Sequence, residues 1–99
     1  IQGAGAQDFD IPISGSGKIG VYAYMDTWYS GANKPQLVLT NCSEWGASTI
    51  TGTMTGASGV WEQINLSITG SGVGVITARV QSNSSIPNGA AFFDTFSFT

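Results

Sequence analysis

The chain has 99 residues, of which 9% are charged and 41% are hydrophobic, and its net charge is −3. This length fits one domain with a modest core, and the hydrophobic content excludes intrinsic disorder. Three cationic residues are too few for a nucleic-acid-binding surface, no apolar run is long enough to span a membrane, and the lack of histidine excludes a Ser-His-Asp triad.

Strands are predicted wherever apolar residues alternate with polar ones. The glycine-rich residues 1–6 are expected to form a flexible or docking N-terminal arm, and Pro12 favours an edge position for the first strand. The predicted strands cover residues 7–13, 18–26, 35–40, 49–55, 64–69, 73–81 and 90–98. Because no segment has a helical period, the pattern predicts an all-β fold. We expect an antiparallel β-sandwich of jelly-roll type with about seven short strands, in one domain over residues 1–99.

The two strands at 64–69 and 73–81 are predicted to pair with each other. Residues 69–72, Thr-Gly-Ser-Gly, tolerate the positive φ angles of a tight or bulged hairpin. Trp61 lies off the alternation of the strand that follows it. A bulge after Trp61 would restore the register and turn the indole into the core.

Aromatic residues in predicted loops indicate a candidate sugar-binding platform. Trp28, Tyr29 and Trp45 lie outside the alternating segments, and loops often carry function. Aromatic rings stack on the apolar faces of sugars, while Asn33 and Gln36 could bond sugar hydroxyls. The alternative is that the rings pack against the ends of the sandwich or lie at a subunit interface.

The residues that could support catalysis or crosslinking are few. The six acidic residues lie on different predicted elements without a motif that would bring two together, so we expect no enzymatic activity and no catalytic residues. Cys42 is the only cysteine, which excludes an internal disulfide and the usual zinc sites. We expect it to be a small, partly buried apolar residue, with an intermolecular crosslink as the alternative.

Asp94 lies in a strand whose Phe92, Phe96 and Phe98 are predicted to share one face. A carboxylate among inward-facing rings requires a partner, because an unpaired buried charge is costly. Arg79, backbone N–H groups and a bound calcium ion are the candidates. The alternative is that Asp94 faces solvent.

Three segments together resemble a known family: residues 34–39 (KPQLVL), 59–64 (GVWEQI) and 92–96 (FFDTF). They resemble the later part of carbohydrate-binding-module jelly rolls, the galactose-binding-like sandwiches appended to glycanases, over residues 9–98. Similar domains occur in bacterial surface proteins and in tail, fibre and decoration proteins of tailed phages. The resemblance implies that Asp94 matches an aspartate that helps to hold a structural calcium ion. The family's Asn-Gly-x-Phe-Glu segment is absent here, and a sandwich without that strand exposes backbone groups that a neighbouring chain could fill.

These observations favour a non-catalytic structural or binding module. We expect it on a virion or cell surface, outside the cell, within a multi-subunit assembly of decoration, fibre or surface-layer type. Its partners would be other protein subunits, either copies of itself or a capsid or surface protein. The alternative is a carbohydrate-binding module that recognises a glycan through its loop aromatics. Nucleic acid and a membrane span are not expected.

Overall fold

Seven strands account for most of the computed structural model, which describes all 99 residues. A single 3-10 turn, Ser43–Trp45, is the only helical element, so no helix could cross a membrane. The strands are β1 (Ala4–Ser14), β2 (Gly17–Met25), β3 (Gln36–Thr40), β4 (Thr49–Thr53), β5 (Glu62–Ile68), β6 (Val73–Asn83) and β7 (Ala91–Phe98). The predicted all-β sandwich of about seven short strands is confirmed.

The strands form two antiparallel sheets, one with the order β1-β6-β3-β4 and the other with the order β5-β2-β7. Only β3 and β4 are neighbours both in sequence and in a sheet. Every other connection passes from one sheet to the other. Each sheet therefore has two edge strands: β1 and β4 in the first, β5 and β7 in the second.

The core lies between the sheets and is built from alternate residues of the central strands. Burying each such aliphatic side chain contributes about 1.5–3 kcal/mol. In the central strands β2, β3 and β6, the apolar residues that are buried most completely are Ile19, Val21, Ala23, Leu37, Leu39, Ile76 and Ala78.

Cys42 is a fully buried core residue, as predicted. Burial raises the pKa of its thiol, and Sγ lies 3.6 Å from the carbonyl oxygen of Thr40. Since the thiolate is the reactive form of cysteine, the folded chain disfavours the intermolecular crosslink.

The predicted hairpin between β5 and β6 is wrong. β5 pairs with β2, whereas β6 pairs with β1 and β3, so the glycine-rich segment crosses between the sheets. The hydroxyl of Ser16 donates to the carbonyl oxygen of Gly70 and accepts its N–H, both at 3.0 Å. The N–H of Gly15 donates to the carbonyl oxygen of Gly72 at 2.8 Å. The connection between β1 and β2 is thus hydrogen-bonded to the connection between β5 and β6, and both cross from one sheet to the other.

The N-terminal residues are part of the sandwich, although the sequence suggested a flexible or docking arm. Ala4–Ala6 belong to β1 and pair with Gln81–Asn83 of β6. Gln2 forms a bridge with Ala90, and Ile1 packs against the core. Glycine-rich sequence did not prevent strand formation here because β6 supplies a complete ladder of partners. Pro12 lies on an edge strand, as predicted.

Two predictions about side-chain direction are also wrong. Trp61 is not a core residue: Glu62 pairs with Ala23 in regular register, so no bulge turns the indole inward. In β7 a bulge does occur, at Thr95, whose φ is 55°. It reverses the alternation, so Phe92 faces outward while Phe96 packs against the core.

Candidate ligand-binding face

The predicted loop platform does not assemble, because Trp45 belongs to the core. Its side chain is 6% exposed and its indole N–H donates to the carbonyl oxygen of Gly15 at 3.1 Å. The ring fills space that a side chain at Gly70 or Gly74 would need. A buried indole cannot stack on a sugar.

The other predicted platform residues are dispersed or already bonded. Trp28 is 64% exposed. The hydroxyl of Tyr29 donates to the carbonyl oxygen of Asn33 and accepts the N–H of Asn83, both at 2.8 Å. It therefore fixes the loop after β2 instead of presenting a free ring. Gln36 lies on the outward face of β3, where its side chain bonds Thr53 and Gln81.

Asp94 faces solvent on the outward side of β7, opposite Tyr22 of β2. Arg79 lies in the other sheet and pairs with Asp8 instead, with Nε 2.8 Å from Oδ1. No group of three or more histidine, cysteine or acidic side chains is present that could hold a metal ion. Calcium binds six to eight oxygens, which this isolated carboxylate does not supply. Calcium at Asp94 stays a prediction from the family resemblance.

The outward face of the β5-β2-β7 sheet carries a row of three aromatic side chains. Tyr24 stands at its centre, paired with Phe92 of β7 at a ring-centroid distance of 6.1 Å. The indole of Trp61 lies on the other side, with its centroid 5.2 Å from that of Tyr24. Trp61 and Phe92 are each 49% exposed. Tyr22, which is also exposed, lies two residues before Tyr24 on β2 and extends the apolar surface in that direction. We call Trp61, Tyr24 and Phe92 the aromatic row.

Polar side chains gather above Gly20 on the same sheet face as the aromatic row, four residues along β2 from Tyr24 and therefore about 13 Å away. A Cβ at position 20 would lie 2.5 Å from Oδ1 of Asn65, 3.0 Å from Nε2 of Gln63 and 3.3 Å from Oγ of Ser97. The missing side chain thus lets three groups from both neighbouring strands approach one another close to the sheet. No hydrogen bond to another protein group occupies these side chains, which we call the Gly20 polar cluster.

The outward face of the four-stranded sheet is built differently. Its polar side chains bond one another across the strands, as in the two hydrogen bonds from Arg79 to Asp8. Gln36 similarly connects Gln81 and Thr53. Several polar side chains of this face are therefore already engaged with one another. The outward face of the β5-β2-β7 sheet combines exposed rings with unbonded amides, which is the usual composition of a binding site.

Glu62 holds the segment that precedes β5 and so positions Trp61. Its carboxylate accepts the backbone N–H groups of Thr55 at 2.9 Å and Gly56 at 2.6 Å. The ammonium group of Lys34 donates to the carbonyl oxygens of the same two residues, at 2.8 and 2.7 Å. The hydrogen bonds that the carboxylate accepts, first that from the Thr55 N–H, and the positive charge of Lys34 hold the pKa of Glu62 below its ordinary value of 4.5.

Replacing Glu62 with glutamine is therefore expected to destabilise the protein by about 1 kcal/mol near neutral pH, after allowance for solvent screening. The folded pKa is lower than the unfolded one, so the contribution of the carboxylate is fully present above about pH 4.5 and lost as the pH falls through the folded pKa. Urea unfolding at pH 7 and pH 3 should show a difference between wild type and variant that shrinks in acid. Glu44→Gln is the matched control, because that side chain forms no hydrogen bond, and an equal loss there would contradict the assignment.

The alternation of residues along β2 and β5 indicates the aromatic residues of this face, although the prediction based on loop aromatics did not include them. Tyr22 and Tyr24 alternate with the buried Val21 and Ala23, which places both phenols on the outward side of a strand. Continuing the alternation of β5 backward without a bulge would have put Trp61 on the same side.

A groove of about 370 Å³ lies at the open edge of the sandwich, between β1 and β7. Phe9 and Phe96 close one end, with ring centroids 5.0 Å apart, and Ile1 lies in the groove wall. Val80 and Phe93 also line it. We call it the β1–β7 groove.

No family model, curated protein or solved structure matches this chain.

Proposed function

We propose that this protein is a non-catalytic glycan-binding module that uses the outward face of the β5-β2-β7 sheet. The observation that carries the proposal is that the aromatic row and the unbonded Gly20 polar cluster share one sheet face, about 13 Å apart along β2 with Tyr22 between them. Ring faces stack on the C–H faces of pyranoses, and amide and hydroxyl groups bond sugar hydroxyls. The face combines both requirements on one rigid sheet.

The charge of the protein favours neutral glycans over acidic ones. The net charge is −3, and Asp94 stands on the binding face beside Tyr22. A uronic acid, sulfate or sialic acid group would meet like charge there, which disfavours binding.

The dispersal of the carboxylates supports a non-catalytic role. Asp8 is bonded to Arg79, and Glu62 is bonded to Thr55 and Gly56. Asp94 is the only acidic residue of β7 and lies opposite Tyr22. Glycoside hydrolysis ordinarily requires two carboxyl groups across the scissile bond.

Tryptophan fluorescence during titration with a panel of neutral polysaccharides tests the proposal. A binding glycan is expected to change the emission of Trp61, so Trp61→Phe should remove the change and Trp28→Phe should leave it intact. The opposite pattern would assign binding to the loop after β2. No response to any neutral glycan, together with no retardation in affinity electrophoresis, would contradict the proposed function.

A structural subunit of a surface assembly, on a virion or on a cell, is the second candidate function. The observation that favours it is the β1–β7 groove, which leaves apolar side chains accessible at the open edge of the sandwich. Light scattering over a range of protein concentrations tests for self-assembly. A monomer at every concentration would exclude self-assembly. The structural subunit would then have to assemble with a protein of different sequence. Either function is expected of a protein that works outside the cell.

A further inference from the structure

The proposed glycan-binding face carries a carboxylate among its exposed rings. Asp94 of β7 pairs with Tyr22 of β2, and directly paired residues of an antiparallel sheet have Cβ atoms about 4.5–5.5 Å apart. Phe92 of the aromatic row lies two residues before Asp94 on the same strand. Asp94 is exposed and forms no ion pair. A negative charge therefore stands between the aromatic row and the Gly20 polar cluster.

The three cationic side chains of the protein do not neutralise this carboxylate. Arg79 pairs with an aspartate of the four-stranded sheet. Lys34 donates to two backbone carbonyl oxygens in the segment before β5. Lys18 lies on β2 four residues from Tyr22, which places it about 13 Å away along the strand. The charge of Asp94 is therefore available to a cationic group of a ligand.

The ring of Tyr22 adds a second attraction for the same kind of group. This side chain is 42% exposed and lies directly opposite Asp94. An ammonium group within about 6 Å of an aromatic ring is attracted by the negative face of that ring. A cation between the two side chains would meet both the carboxylate and the phenol. The position therefore favours a protonated amine over a hydroxyl or an acetamide group.

These groups follow one another along β2, which gives the ligand a direction. Tyr24 lies in the aromatic row, Tyr22 lies between Gln63 and Asp94, and Gly20 lies beneath the polar cluster. From Tyr24 to Gly20 the distance along the strand is about 13 Å, which exceeds the width of one sugar ring. A ligand that uses all three positions is therefore a chain of several sugars lying along β2.

We propose that the glycan bound by this face is a linear chain of amino sugars that carry free amino groups. One pyranose stacks on the aromatic row, the ammonium group of a following sugar lies between Asp94 and Tyr22, and hydroxyl groups of the chain bond the Gly20 polar cluster. This inference rests on the proposed glycan-binding function and specifies its ligand. Acetylation of the amines removes the charge and with it the contact to Asp94.

The test compares three β-1,4-linked tetrasaccharides, of glucosamine, of N-acetylglucosamine and of glucose, which differ only in the group at carbon 2. Isothermal titration calorimetry in weakly acidic buffer of low ionic strength, which keeps the sugar amines protonated, measures their affinities. The glucosamine tetramer should bind about fivefold more tightly than the other two, the size expected of an exposed ion pair combined with a cation–π contact. This difference should shrink as salt is added, because the charges are exposed.

Asp94→Asn assigns the preference to one carboxylate. This variant should bind the two neutral tetramers as the wild type does and should lose the preference for glucosamine. Asp10→Asn, the same substitution on β1 of the other sheet, should keep the preference, and its loss there as well would indicate general attraction to a negative protein. A glucosamine tetramer that binds no more tightly than its acetylated counterpart, or a preference that survives Asp94→Asn, would overturn the inference and leave the glycan-binding function standing. Absence of binding by all three tetramers would contradict both.

Discussion

Replacing Tyr24 with alanine is expected to reduce glycan affinity about 30-fold, which corresponds to roughly 2 kcal/mol for a central contact residue. Tyr24 is the middle ring of the aromatic row, with Trp61 on one side and Phe92 on the other. Its removal would both delete a stacking surface and leave the two outer rings without support. Isothermal titration calorimetry with the best glycan of the panel measures the effect.

Two further variants make this result specific. Tyr24→Phe keeps the ring and should stay within a few-fold of wild type, and Trp28→Ala should have no effect, because that exposed loop indole lies outside the aromatic row. If Trp28→Ala weakened binding and Tyr24→Ala did not, the sheet face would not be the binding site.

Replacing Trp45 with alanine is expected to destabilise the protein by about 3–5 kcal/mol, the usual cost of removing a buried aromatic side chain. The indole fills the space beside Gly70 and Gly74 and bonds the carbonyl oxygen of Gly15. A domain of this size is stable by roughly 5–15 kcal/mol, so the variant would be at or near the limit of folding.

Urea unfolding followed by circular dichroism measures this effect. Trp45→Phe keeps most of the ring and should recover part of the loss, while Trp28→Ala should stay within about 0.5 kcal/mol of wild type. A loss below about 1 kcal/mol for Trp45→Ala would show that the corner between β5 and β6 does not depend on the indole.

The local features of the fold were predictable because they are encoded within single strands. Alternation predicted the strands, and Pro12 predicted an edge. Strand pairing was not predictable in the same way. The segment around Gly70 has the composition of a hairpin turn, and the decision between a hairpin and a crossing depends on Ser16, which is distant in sequence.

The sequence predicted the kinds of side chain in the candidate site but not where in the fold they lie. Aromatic rings with nearby amides were expected in loops, at Trp28, Tyr29 and Trp45, and occur instead on a sheet face. Trp45 looks like a loop residue in sequence because its burial depends on two remote glycines. The direction of Phe92 depends on the bulge at Thr95, a non-glycine residue with positive φ that no local pattern indicates.

The pairing of β1 with β6 has a consequence for the order of events in folding. Ala4 finds its strand partner at Asn83, and Ile1 finds its partner at Ala91. The first strand therefore stays without its partner until the residues of β6 have been synthesised, and loop closure over such a distance slows folding. We expect the protein to fold in milliseconds to seconds, as other sandwiches dominated by distant pairings do. Asp8, Asp10 and Pro12 on β1 are features that limit pairing with other chains while that strand lacks its partner.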